Sequence, residues 1–158
     1  MNEKLKYIGY SIVFQEVPDE VSLVFNISGC THRCHNCHSE YLWRYDGRYL
    51  SDDLQRIVDD YKDLVTCVCL MGGDQNWHEI EKSMDIIHRN GLRAAIYVGA
   101  ELEDVPLSIK KSVDYLKVGR YIESLGGLDH PTTNQRMYKR TPQGEVTDIT
   151  SRFWRKNE

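Results

Sequence analysis

The sequence predicts an α/β fold built on a parallel sheet. Apolar runs of strand length recur at 21–27, 65–71, 93–98 and 115–118, and each stops at or just before a glycine. Between them lie segments whose apolar residues recur at helical spacing. A chain of 158 residues makes one domain, 1–158, and falls short of a closed eight-unit barrel, which takes about 250. Strand–helix alternation of this kind implies parallel neighbours joined by right-handed crossovers.

Taken in order, Tyr7–Phe14 is a β-rich run, expected as an edge strand or hairpin arm, and Pro18-Asp19 turns the chain. Val21–Ile27 is the first core strand, broken by Ser28 and Gly29. His38–Arg44 begins a helix that Asp46-Gly47 ends. Ser51 with Asp52 and Asp53 reads as a helix start, followed by Leu54, Ile57, Val58, Tyr61 and Leu64 on one face. Val65–Met71 is the second strand, and Gly72-Gly73 breaks it. Trp77–Asn90 is a helix with Ile80, Met84, Ile87 and His88 in a stripe, stopped at Asn90-Gly91. Arg93–Val98 is the third strand, Pro106–Ser112 a short helix, and Tyr115–Val118 the fourth strand. The core is therefore about 21–121. In the extension 122–158, Gln135–Arg140 and Val146–Ile149 flank Thr141-Pro142-Gln143-Gly144, a hairpin signal.

Composition excludes several functions. Hydrophobic content is 41% and net charge −4, with no basic block to grip phosphates, so nucleic acid is not an expected partner. No apolar stretch reaches the roughly 18 residues of a membrane span, and Met1–Lys6 lacks the apolar heart of a signal peptide. Five cysteines, three of them clustered, suit a reducing cytoplasm better than a disulfide framework.

Those three form the densest chemistry in the chain. Cys30-Thr31-His32-Arg33-Cys34-His35-Asn36-Cys37 has the spacing C-x3-C-x2-C, just beyond the end of a strand, where α/β folds keep their ligands. Thiolate is the soft ligand of iron–sulfur clusters and zinc. A structural zinc site needs four ligands. Cys67 and Cys69 alternate with Val68 and Leu70 inside a strand, so they read as small buried hydrophobes. Two readings remain. One is zinc with His32, His35 or His38 as fourth ligand. The other is a four-iron cluster on three cysteines, with one iron open to a substrate.

The C-x3-C-x2-C loop resembles that of the radical S-adenosylmethionine (SAM) enzymes. Met71-Gly72-Gly73-Asp74 is similar to that family's Gly-Gly-Glu/Asp motif. Tyr115–Tyr121 and Thr132-Thr133-Asn134-Gln135, with Gly29, Cys30 and Trp43, resemble the small activating proteins of anaerobic (class III) ribonucleoside-triphosphate reductase. The likeness runs from about Tyr7 to Phe153.

The resemblance implies an open, partial β/α barrel of the radical SAM type, with parallel strands and short terminal strand extensions. It implies a 4Fe–4S cluster on Cys30, Cys34 and Cys37, and SAM held near Asn36, Cys37, His38, Gly72, Gly73, Asp74, Val98 and Lys117. Asn36 departs from a common pattern, in which an aromatic residue or glycine precedes the third cysteine. The implied reaction is reductive cleavage of SAM to a 5′-deoxyadenosyl radical that leaves a glycyl radical on the reductase, with a flavodoxin-like one-electron donor. No catalytic residue beyond cluster and SAM is implied. Thr132, Thr133, Asn134, Gln135, Tyr138 and Arg140 are the candidate partner contacts. Alternatives are another small radical SAM enzyme, serving a different glycyl-radical protein or a small molecule, and a zinc- or cluster-binding adaptor without turnover.

Overall fold

The computed structural model describes residues 4–14, 16–30 and 42–154. Its elements are β1 (Lys6–Val13), β2 (Ser22–Ile27), β3 (Arg48–Tyr49), α1 (Leu50–Tyr61), β4 (Cys67–Met71), α2 (Trp77–Arg89), β5 (Arg93–Tyr97), α3 (Leu107–Ser112), β6 (Tyr115–Val118), β7 (Arg136–Arg140) and β8 (Val146–Asp148). The strands form one sheet in the order β3-β1-β2-β4-β5-β6-β7-β8. β2, β4, β5 and β6 are mutually parallel, while β1, β3, β7 and β8 pair antiparallel at the two sides. The sheet is thus mixed and open, with β3 and β8 at its edges.

Side chains alternate across each strand, so the sheet has two different faces. Leu23, Phe25, Val68, Leu70, Ile96 and Leu116 are buried against the helices, with Leu54, Ile57, Ile80, Met84 and Ile109 opposing them. On the opposite face Val24, Cys67, Cys69, Ala95, Tyr115 and Met137 form a smaller buried layer with Val17. Half-buried Leu128, Ile149 and Phe153 pack onto it.

At the amino-terminal side one expectation holds and one changes. The run at 7–14 is a hairpin arm, antiparallel to β2, and among the described residues Arg48 and Tyr49 cover only its start, pairing with Lys6 and Tyr7. The helix expected at Ser51 begins at Leu50, and Tyr49 at its N-cap makes no side-chain capping bond. Asp53, in the first turn, is instead buried and reaches back to the sheet. It accepts from Tyr7 Oη at 2.6 Å and from Arg48 Nε at 2.7 Å. That pair of bonds holds its carboxyl well below the usual carboxylate range. Burial first, then the Asp53 carboxylate, raises the Tyr7 phenol to about 12.

α2 starts and stops as its sequence dictates. Asn76 caps it, accepting from Glu79 N–H at 3.2 Å. At its end Gly91 N–H donates to His88 O at 3.0 Å and Leu92 N–H to Ile87 O at 3.3 Å, a Schellman closure. Gly91 supplies the positive φ of 75° that this closure requires. Among the described residues no helix is long and apolar enough to cross a membrane.

Candidate functional site

β2, β4, β5 and β6 run parallel, so their carboxyl ends meet at one edge of the sheet. The register aligns Asn26, Met71, Tyr97, Lys117 and Met137 in one row across it. Val24, Cys69, Ala95 and Tyr115 form the row beneath, on the opposite face from the helices. Above the upper row lie the turns that carry most of the candidate residues.

The root of the cysteine loop is tightly held. Ser28, fully buried, donates its hydroxyl to Asp46 O at 2.5 Å and accepts from Asp46 N–H at 3.1 Å. Gly29 and Cys30 both donate their N–H groups to Leu42 O, at 2.7 and 3.0 Å. These two bonds tie Cys30 and Leu42, the described residues on either side of the cysteine loop, to one another. Cys30 is a free, half-buried thiol at the end of β2. Cys34 and Cys37, with Asn36, His38, His32 and His35, lie outside the described residues. Trp43 is half-buried.

Cys67 and Cys69 are not alternatives to them. Both are fully buried in the second core layer. Burial pushes the Cys67 thiol up to about 12 and that of Cys69 well above its ordinary value. A thiol that resists ionisation is a poor metal ligand. Among the described residues no group of three or more His, Cys, Asp or Glu side chains is placed to hold a metal.

The remaining strand ends are laced together. Gln75 Nε2 donates to Ser28 O at 2.8 Å. Asp74 Oδ2 accepts from Ala100 N–H at 3.1 Å, and Ala100 O accepts from Gly119 N–H at 2.8 Å. Lys117 Nζ donates to Gly119 O at 2.7 Å and to Val98 O at 3.3 Å. Asp74 and Lys117 thus hold backbone at this edge. The Val98 side chain turns into the helix-side core, leaving only its backbone at the site.

Gly72 and Gly73 both have a φ of 107°. A β-carbon on Gly73 would lie 3.2 Å from Ile80 and 3.3 Å from Leu5, and one on Gly72 would lie 3.3 Å from Ile27 O. The protein's own packing and the left-handed backbone thus favour glycine at both positions.

The polar segment 132–135 does not lie as one surface. Thr132 and Thr133 donate to Leu125 O and Gly126 O at 2.7 and 3.0 Å, closing their own loop. Gln135, buried, donates to Gly119 O at 3.2 Å, and Asn134 Nδ2 to Arg120 O at 3.1 Å. These two carboxamides therefore brace the end of β6. Tyr138 and Arg140 are elsewhere: they line a groove of about 160 Å³ with Leu102, Val113 and Leu116. Arg140 bonds Val113 O at 2.9 Å, near the amino end of β6. β7 runs antiparallel to β6, so every step from Arg136 to Arg140 leads away from the site.

A family model for a 4Fe-4S single cluster domain, found in radical SAM-type proteins, matches residues 20–137. The chain belongs to this 4Fe-4S single cluster domain family. No curated protein and no solved structure matches it. The match runs from just before β2 into β7, so it takes in the cysteine loop and all four parallel strands.

The site's chemistry fits a cluster. The sequence holds three thiols close together after β2, and the other two are buried and resist ionisation. The edge also retains acceptor capacity for a further ligand. Gln75 Oε1 and Asn134 Oδ1 are shielded from solvent and have no hydrogen-bond partner. Asn26 was not singled out by its sequence signal, a polar residue inside an apolar run. Only the register shows that it faces the site.

Proposed function

We propose that this cluster protein is a radical SAM activating enzyme, which makes a glycyl radical on anaerobic ribonucleoside-triphosphate reductase. The observation that carries the reading is the placement of Cys30 and the Gly72-Gly73-Asp74 turn at adjacent strand ends, tied through Gln75 and Ser28. On this reading the parallel strands and their helices are an open, partial β/α barrel. Cys30, Cys34 and Cys37 hold the cluster. A cluster held there beside SAM would supply one-electron reductive chemistry, fed by a flavodoxin-like donor, for cleaving SAM and generating the glycyl radical on the reductase.

The chain's own residues bind, orient and exclude water. Strand-end carbonyls near Gly72 offer acceptors to the ammonium of SAM. Lys117, Gln135 and Asn134 keep the β6 turn in shape below the ligand. A sheet open at β8 leaves room for a large substrate, whose glycine loop covers the site.

The test is anaerobic reconstitution, followed by electron paramagnetic resonance with SAM, a reductant and the reductase. The expected result is about four irons per chain, SAM cleavage, and a doublet signal on the reductase. Cleavage of SAM with no radical on any reductase favours a small-molecule substrate. Zinc in place of iron, with no cleavage, sinks the reading.

A further inference from the structure

We infer that Asn26 contacts the ligand of this site, donating its carboxamide N–H to the carboxylate of SAM. The inference rests on the reading above and adds a residue to it. Asn26 is the last residue of β2 aligned with Met71 of β4, and its neighbours Phe25 and Ile27 both turn into the helix-side core. Alternation therefore points Asn26 to the opposite face, in the upper row beside Met71 and Tyr97.

A carboxamide in that row is out of keeping with its surroundings. In the row beneath, Val24, Cys69, Ala95 and Tyr115 are buried. Asn26 is half-buried, and its side chain makes no hydrogen bond to any described residue. Its counterparts at this edge are committed. Gln75 Nε2 holds Ser28 O, Asn134 Nδ2 holds Arg120 O, Gln135 Nε2 holds Gly119 O, and Lys117 gives donors to Val98 O and Gly119 O. Asn26 Nδ2 is an uncommitted N–H donor on the strand that leads, four residues later, to Cys30.

On the reading above, the amino-carboxylate end of SAM lies at the cluster, and Cys30, four residues beyond Asn26, makes that the end nearest this strand. The carbonyls at the Gly72 turn suit its ammonium, and the carboxylate is left needing an N–H donor. A hydrogen bond to a charged acceptor is among the stronger ones.

Three variants and two ligands decide the matter, using the anaerobically reconstituted full chain and equilibrium binding. Asn26→Leu should weaken SAM binding about tenfold or more. Asn26→Asp, the isosteric change, should weaken it further by placing like charges together, whereas Asn26→Ser should fall between wild type and Asn26→Leu. Iron content should be unchanged in all three. Decarboxylated SAM, which lacks the carboxylate, should bind wild type and variants alike; a merely structural role for Asn26 would cost both ligands the same factor. Equal losses for the two ligands, or SAM affinity unaltered in Asn26→Asp, would overturn the inference alone. A wild-type protein that loads its cluster yet binds no SAM would overturn the underlying reading and this inference with it. Should Asn26→Leu fail to fold, Asn26→Asp carries the test by itself.

Discussion

Gln75 Nε2 donates to Ser28 O across 2.8 Å, joining the turn after β4 to the root of the cysteine loop. The bond bridges two segments far apart in sequence, and Gln75 Oε1 beside it has no partner. Gln75→Leu removes the bond without stranding a further polar atom on its own side chain. It should cost about 1 kcal/mol of stability. Iron release to a chelator should speed up severalfold, read by the loss of cluster absorbance. Release at the wild-type rate would mean that the bond does not steady the loop.

The five cysteines should divide three to two. Alanine at Cys30, Cys34 or Cys37 should abolish the cluster's absorbance. Cys67→Ala or Cys69→Ala should keep iron and lose about 1 kcal/mol through the void left in the second core layer. With its thiol pushed up to about 12, Cys67 should also resist alkylation at pH 8 until the protein unfolds. Iron loss in Cys67→Ala as complete as in Cys34→Ala would reverse the ligand assignment.

Asp53 makes stability depend on pH at the acid end. Its folded carboxyl titrates below the unfolded one, so its contribution is fully present above the unfolded value of about 3.9 and is lost as pH falls through the folded value. Asp53→Asn should therefore cost roughly 1–3 kcal/mol at pH 7. The gap to wild type should narrow below about pH 4, as measured by urea unfolding across pH. A gap that stays constant down to pH 2 would assign the loss to packing instead.

Gly73 should behave as a folding residue. Its φ of 107° and the 3.2 Å approach of Ile80 to an added β-carbon make Gly73→Ala cost about 1–3 kcal/mol. Gly73→Val should cost more. The expected result is a lowered thermal midpoint, with cluster content and ligand binding falling together. Selective loss of ligand binding at an unchanged midpoint would return this glycine to the binding surface.

Much of this protein is written in local pattern. Short apolar runs mark the parallel strands, which are buried on both faces, and helical spacing marks α1 and α2, which bury one. Asn90-Gly91 stops α2 through backbone geometry that only the nearest residues control. The cysteine spacing names a thiolate-held metal for the same reason: the ligands are close in the chain. Segregation of Cys67 and Cys69 follows from strand alternation alone.

Other features depend on residues distant in sequence, and these only the tertiary structure decided. Arg48 and Tyr49 return to pair with Lys6 and Tyr7 at the start of β1, and Asp53 is a buried anchor because Tyr7 and Arg48 reach it. Gly73 is required by Ile80 and Leu5, not by open space. Asn134 and Gln135 brace β6 while Tyr138 and Arg140 line another groove, since an antiparallel strand carries neighbouring residues away from the site. Asn26 and Lys117 share a row solely through strand register, which is set by packing across the whole sheet.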